Sequence, residues 1–394
     1  MFSANLALAF QAGSILRVKD GSVLDRIFAP HQNVWIRDSS LADATQKEYR
    51  PELDGIRALA IILVLIAHVR SIEGGTPIGY LGVTIFFVLS GYLITAISVA
   101  EETKNGALSL AGFYIRRTFR IFPLYYFVLG TYCFLILGLH LFPEKHEPLK
   151  QALPFYLAYL QEIPFFRAAQ GGSLPFYQSW SLGIEEKFYL VWPLVCFVFL
   201  RHRKAWRIPT GVVLVVACSL NRYTRPYISI LFGCLLALSM QFQGMRKTLE
   251  RAAASGLWTL AALLLGLHFA PAVYWRWDLA LSLYALLFAC FLGFLVTGES
   301  YFKRALGTPL LAFVGKMSYG VYLVHLLCIG LLRSKAHIHN TWFMLFAALG
   351  LALAVAVVLH YLLEQPFIRW GRYLSKKAMN SESAAMVTVI ESRS

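Results

Sequence analysis

YRPELDGIRALAIILVLIAHV, residues 49–69, decides how the chain is read. A polar, doubly acidic opening gives way to an unbroken apolar run, and that run ends on a histidine. It is the first of a series of apolar runs that recurs almost to residue 363, each of the order needed to cross a hydrocarbon core of about 30 Å. Within the first run Arg57 and His68 lie eleven residues apart. At 3.6 residues per turn, eleven steps return within about 20° of the same face, and the two side chains stand roughly 16 Å apart along the axis. Asp54, three residues before Arg57, falls close to that face. An imidazole inside a membrane span is costly enough to raise a functional question by default, and its near-neutral titration suits it to accept a proton. The alternative is a histidine that hydrogen-bonds a neighbouring helix and does nothing more. For Arg57 the alternative is snorkelling to lipid phosphates.

Composition agrees with a membrane protein. Of the 394 residues, 58% are hydrophobic, 15% aromatic and only 14% charged, against about 25% charged in soluble domains. The candidate spans are 56–72, 81–99, 120–141, 181–200, 209–221, 227–241, 256–270, 278–297, 317–333 and 342–363. Between them no interval is long enough for a soluble domain. The expectation is an all-α polytopic membrane protein, a bundle of about ten transmembrane helices without a soluble domain. Segment 152–166, ALPFYLAYLQEIPFF, is interrupted by Pro154, Gln161, Glu162 and Pro164 and reads as re-entrant or interfacial. Residues 1–48 read as a cytoplasmic extension open to disorder, or as a start codon placed too far upstream. Residues 49–375 form the membrane domain, and 376–394 a cytoplasmic tail.

The formal charge of +15 does not point to nucleic acid, because the basic residues gather in short clusters between apolar runs. One set of loops carries Lys104, Arg116, Arg117 and Arg120, then Arg201, Arg203, Lys204 and Arg207, then Arg246, Lys247 and Arg251, then Lys303 and Arg304, then Arg369, Arg372, Lys376 and Lys377. The opposite set is thinner: Arg70, Lys145, Lys150, Arg167, Arg222, Arg225, Arg276, Arg333 and Lys335. The positive-inside rule then places both termini in the cytoplasm. Cys133, Cys196, Cys218, Cys234, Cys290 and Cys328 lie in or beside apolar runs without a C-x-x-C pair, so neither a disulfide framework nor a zinc site is expected. His337 and His339 form an H-x-H without a carboxylate or cysteine nearby, and no metal site is assigned.

The R-x10-H arrangement from Arg57 to His68 resembles the opening of the acyltransferase 3 family of bacterial membrane acyltransferases. Further segments match in the same order: GVTIFFVLSGYLIT (82–95), FYIRRTFRIFPLYY (113–126), SWSLGIEEKFYLVWP (179–193), and more weakly TRPYISILFGCLLAL (224–238), SYGVYLVH (318–325) and EQPF (364–367). The resemblance covers about residues 49–375. Lys187 stands where the family usually has glutamine, and the N-terminal extension is unusual. Some members carry a hydrolase-like domain after the membrane part, and a second half-reaction handled by such a domain is not expected within this chain.

The resemblance implies a multi-pass enzyme of the bacterial inner membrane. It would move an acyl group, acetyl in the first instance, from acyl-coenzyme A to a sugar hydroxyl of a cell-envelope or secreted glycan. Acyl-coenzyme A is then a co-substrate, with no bound cofactor, and the partners are a carbohydrate acceptor and the bilayer. It implies donor-site roles for Arg57, Arg117 and Arg120, with Arg116 adjacent, since guanidinium groups suit the donor's phosphates. A positive-inside cluster would look the same. His68 is expected as general base, with a covalent acyl-histidine as its rival. Glu185, ahead of Glu186, is expected to orient His68 or take part in proton transfer, against a plain interfacial pair. Arg225 and Trp180 are the acceptor-side candidates. His325 is first read as a helix-to-helix hydrogen bond. Buried His, Arg and Glu also serve proton-coupled secondary transporters, and a silent scaffold for envelope assembly is a third reading. The absence of an obvious inverted repeat of broken helices counts against the transporter.

Overall fold

Every apolar run named above falls on a helix. The computed structural model describes residues 49–70, 78–167, 174–269, 277–336 and 340–391. The extension 1–48, Arg276 and the His337–His339 pair lie outside the described residues, as do the side chains of Arg167 and Lys335. In chain order the helices are α1 Pro51–Arg70, α2 Ile78–Asn105, α3 Leu110–Cys133, α4 His146–Leu157, α5 Glu162–Arg167, α6 Trp180–Pro193 and α7 Arg207–Ser219. They continue with α8 Pro226–Ser239, α9 Gln243–Phe269, α10 Trp277–Thr297, α11 Tyr301–Leu306, α12 Pro309–Ala336, α13 Thr341–Leu359 and α14 Gln365–Glu391. No strand occurs among the described residues.

Among the described residues, five helical stretches are long and apolar enough to cross a membrane: Gly79–Asn105, Leu110–Gly138, Ala280–Thr297, Pro309–Ser334 and Thr341–Ser381. A sixth is formed if Pro226–Ser239 and Gln243–Ala253, bent by 107° at their junction, count as one span. The chain is a multi-pass membrane protein, but the expected figure of about ten exceeds what length and apolarity support. The reasons are local. Helix α1 carries Glu52, Asp54, Arg57 and Arg70 among its 20 residues. Helix α7 has only 13 residues, and α6 has 14 before it loosens into a π turn over Leu194–Phe199. Segment 152–166 is broken between its prolines: α4 runs through Pro154 and stops at Leu157, Tyr159 turns at φ 55°, and α5, with Pro164 in its first turn, is one and a half turns long.

Helix α1 sits at the centre. Leu53, Ile56 and Ala60 pack into an apolar cluster with α2 and α10. Ala58, Ile61, Val64, Leu65 and Val69 pack into a second one, with α3, α6, α12 and α13. A helix apolar all round is a buried helix, and Ala58, Ala60, Ile61 and Leu65 are fully covered. Phe134, Phe199, Val213, Phe346 and Leu362 instead stand exposed on the outside of the bundle, the side that lipid would cover. Small residues let backbones touch where helices cross. Gly91 of α2 packs on the Ile230 carbonyl and Gly233 of α8 on the Val88 carbonyl, so no side chain fits at either position.

Helix ends are fixed by side chains. Ser109 Oγ accepts the Gly112 amide at the start of α3, and Asn340 Oδ1 accepts the Phe343 amide at the start of α13. Helix α13 passes through a π turn over His360–Glu364 straight into α14, which covers most of the residues expected as a tail.

Candidate active site

Pro51 opens α1, where a missing N–H costs nothing, and Glu52 and Asp54 occupy the first turn, where the helix dipole favours carboxylates. Both are buried. Arg57 Nη1 donates to Asp54 Oδ1 at 2.5 Å, so the i, i+3 neighbour expected from spacing is its ion-pair partner.

Arg57 is not alone at this depth. The charges acting on Arg120 are those of Arg57 and Arg117, which repel it, and of Glu364 and Asp54, which attract it. The guanidinium groups of Arg57 and Arg117 are therefore close enough to act on Arg120, as are a carboxylate from α1 and one from the α13–α14 turn. Glu364 is held in place by His360, whose Nδ1 lies 2.7 Å from Glu364 Oε2. The π turn swings this carboxylate inward, and π turns recur at functional sites. The guanidinium of Arg117 lies over the Tyr189 ring, 4.7 Å from its centroid, and so joins α3 to α6. Arg116 turns elsewhere: Nη2 donates to Glu101 Oε2 at 2.6 Å and Nη1 to Ser375 Oγ at 2.8 Å, tying α3 to α2 and α14.

Glu185 and Glu186 belong to the arginine side of the site. Glu185 bonds the hydroxyls of Ser90 and Tyr189, which also bond one another, and the cations acting on it are Arg117 and Arg57. Glu186 is drawn to Arg117, and its Oε1 is buried without a hydrogen-bond partner among the described residues. The groups that act on His68 are the Val64 carbonyl and Arg333, and its ring neighbours are Tyr177 and His325. The structure thus gathers the carboxylates with the arginines and places two aromatic rings beside His68.

His68 Nδ1 lies 2.8 Å from the Val64 carbonyl one turn back. A carbonyl oxygen only accepts, so Nδ1 carries the hydrogen and Nε2 presents a lone pair. Arg333 Nη2 donates to the carbonyls of His68 and Val69 at 3.2 and 3.0 Å. The end of α1 is therefore capped by a cation, where the helix dipole favours one. Beside it, Tyr322 Oη donates to the Gln178 carbonyl at 2.6 Å and lies 2.7 Å from Ser181 Oγ, while Gln178 Nε2 reaches the Leu323 carbonyl at 3.0 Å. These bonds lock the start of α6 against α12.

The remaining candidates make contacts of their own. Trp180 is buried with its ring near Tyr80 and Phe87. Arg225 Nε donates to the Ser219 carbonyl at 3.2 Å, in the turn before α8. Lys187, the departure from the family's glutamine, has an acidic partner. Its Nζ lies 2.7 Å from Glu162 Oε1 and donates to the carbonyls of Tyr159 and Gly183 at 2.8 and 2.9 Å. All three of its hydrogens are used, fastening α5 to α6.

A family model described as an acyltransferase domain matches residues 50–361, which takes in α1, the three arginines, Asp54, Glu185, Glu186 and both histidines, and stops just short of Glu364. The chain belongs to the acyltransferase 3 family. Among its curated relatives is the peptidoglycan O-acetyltransferase OatA of Listeria monocytogenes, 30% identical over 71% of this chain and 49% of that protein. A putative O-acetyltransferase of Staphylococcus aureus strain MRSA252 is 26% identical over 85% of this chain and 59% of its own length. The O-acetyltransferase OatA of Staphylococcus aureus strain NCTC 8325 is 30% identical over 70% of this chain and 50% of its own. The chain spans about half the length of the curated relatives it matches. No solved structure matches it at a significant level.

Within the acyltransferase 3 framework, sequence alone passed over Ser90, Tyr189, Glu364 and Arg333. Ser90, Tyr189 and Glu364 lie inside segments that carry the family resemblance, so a signal was present, but nothing in it marked them as neighbours. Arg333 read only as one basic residue in a thinly charged loop.

Proposed function

We propose that the protein is a membrane O-acyltransferase that moves an acyl group, acetyl in the first instance, from acyl-coenzyme A to a sugar hydroxyl of a cell-envelope glycan. The observation that carries this reading is the division of α1 into two chemical ends. At one end Arg57, with Arg117 and Arg120, forms a cationic cluster suited to a donor's phosphates. At the other, His68 offers a free Nε2 lone pair. The separation along the helix, roughly 16 Å, suits an extended pantetheine arm. The family membership and the printed functions of the relatives support O-acetyl transfer to a carbohydrate.

In this reading the donor enters from the cytoplasm and its phosphates lie among the three arginines, with no resident cofactor required. His68 Nε2 removes the proton from the acceptor hydroxyl as its oxygen attacks the thioester carbon. The C–S bond breaks, and the thiolate leaves with the electron pair. Glu185 and Glu186 fix Arg117, Ser90 and Tyr189 along the path between the two ends. The protein lies in the bacterial inner membrane, crosses it about ten times and keeps both termini cytoplasmic.

The test uses membrane vesicles containing the protein or His68→Ala, supplied with labelled acetyl-coenzyme A. Label should enter extracted glycan with the wild type and fall by about 10²-fold or more with an equally abundant variant. Equal labelling by both would remove His68 from the mechanism. Proton-coupled uptake into vesicles without labelling would instead make the protein a transporter. Label trapped on the enzyme in the absence of acceptor would replace direct transfer with a covalent route.

A further inference from the structure

His325 stands at the end of SYGVYLVH on α12, far from His68 along the chain, yet the two rings are 4.9 Å apart between centroids and tilted by 58°. His325 is fully buried. Its Nδ1 lies 2.6 Å from the Tyr322 carbonyl, so, like His68, it carries hydrogen on Nδ1 and a lone pair on Nε2. That Nε2 is buried and has no hydrogen-bond partner among the described residues.

An orphaned acceptor in a dry interior lowers stability unless some state of the protein uses it. A histidine that served only to tie helices together would spend this nitrogen on a neighbouring helix. The groups around the pair are Tyr177, whose ring is 5.8 Å from His68, Tyr322, whose ring is 5.7 Å from His325, and Arg333 at the end of α1. A phenol is a far weaker acid than an imidazolium and a guanidinium stays charged, which leaves the two Nε2 atoms to deal with the proton that transfer releases.

We propose that His325 is the proton partner of His68, the two forming a relay in which a proton taken by His68 is shared with His325 Nε2. The proposal rests on the acyltransferase reading above. In the resting state both rings are neutral, and two lone pairs share the site. When the acceptor O–H bond breaks, its oxygen bonds to the acyl carbon and the C–S bond gives its electron pair to sulfur. The proton lands on His68 Nε2, whose new N–H then finds its acceptor in His325 Nε2. The proton is finally delivered to the coenzyme A thiolate, and both rings return to neutral. His325 acts through His68 and is a positioning residue.

The experiment compares full-length wild type, His325→Gln and His68→Ala in membrane vesicles, with labelled acetyl-coenzyme A as donor and soluble peptidoglycan fragments as acceptor. Glutamine offers an acceptor oxygen near the place of Nε2 but cannot take a proton. His325→Gln is expected to lose about 10²-fold in kcat while KM for acetyl-coenzyme A stays unchanged. Its kcat should follow a single ionisation where the wild type shows two linked ones. A wild-type kcat and pH profile in His325→Gln, or a loss confined to KM, would overturn the relay while leaving acetyl transfer standing. A wild type that moves no label overturns the parent reading and the relay with it. Should His325→Gln fail to accumulate, the wild type alone decides. A curved dependence of kcat on deuterium fraction means that two protons are in flight and supports the pair, whereas a straight line overturns it.

Discussion

Arg333 lies where the last carbonyls of α1 would otherwise face the end of the bundle unpaired, and it donates to two of them at once. His68 belongs to that final turn, so the aim of its Nε2 depends on the cap. Misplacing a reacting group by about 1 Å can cost on the order of 10²-fold. Arg333→Ala should therefore lower kcat about tenfold or more, with KM for the donor unchanged, and Arg333→Lys should recover only part of it because an ammonium lacks the planar fork. Acetyl-transfer kinetics in vesicles would check this, and a loss in KM instead would place Arg333 at the donor. Lys187 makes a contrasting case. It faces Glu162, whose side chain is almost wholly covered, so Lys187→Gln strands a carboxylate. Partial exposure of the lysine reduces the cost to about 2 kcal/mol. The double change Lys187→Gln with Glu162→Gln should return most of that stability, as read by thermal denaturation of the solubilised protein. An additive double mutant would show that the pair is not coupled.

At the scale of elements, α2 and α8 meet through glycine against backbone. A methyl group on either Gly91 or Gly233 would overlap a carbonyl of the other helix, and backbone cannot swing aside as a side chain does. Gly91→Ala and Gly233→Ala should each cost about 1–3 kcal/mol. Gly130→Ala on α3, where a Cβ meets nothing within 4 Å, should be neutral or slightly stabilising. Melting temperatures of the three solubilised variants would separate these outcomes, and equal shifts would refute the close crossing. Helix identity was legible in the sequence because apolar runs of this length have few other solutions in lipid. Helix extent was not. Arg116, Arg117 and Arg120 lie inside α3, the basic stretch before Gly256 is already helical in α9, and α14 runs on through a polar sequence. Hydropathy marks the part of a helix that lipid covers and is silent on the turns that protrude.

For the molecule as a whole, His68 and Arg57 could be picked out because one helix carries both and its period relates them. The grouping of the other residues could not. Glu185 and Glu186 were expected beside His68 because they lie in the first turns of a span that begins at the same end of the bundle, but the cation acting on both is Arg117. His325 arrives at His68 from another helix altogether. Only tertiary packing sets such meetings, and a single sequence holds no period that encodes them. Topology is the remaining global property, and it turns on α7. Thirteen residues rise only about 20 Å, against a hydrocarbon core of about 30 Å, and Arg207 at its start is buried against Glu102 of α2 through two bonds of 2.7 and 2.8 Å. That anchor ties the start of α7 to the C-terminal end of α2, so α7 should cross with the bilayer thinned beside it. The exposed residues His202 and Tyr223 flank it. In a protein whose six cysteines are replaced by serine, His202→Cys should react with an impermeant thiol reagent from the cytoplasmic side only, and Tyr223→Cys from the opposite side only. Reaction of both from one side would mean that α7 turns back without crossing. Every later connection, and with it the π turn that carries Glu364, would then exchange sides, and Glu364 could not share the arginine cluster.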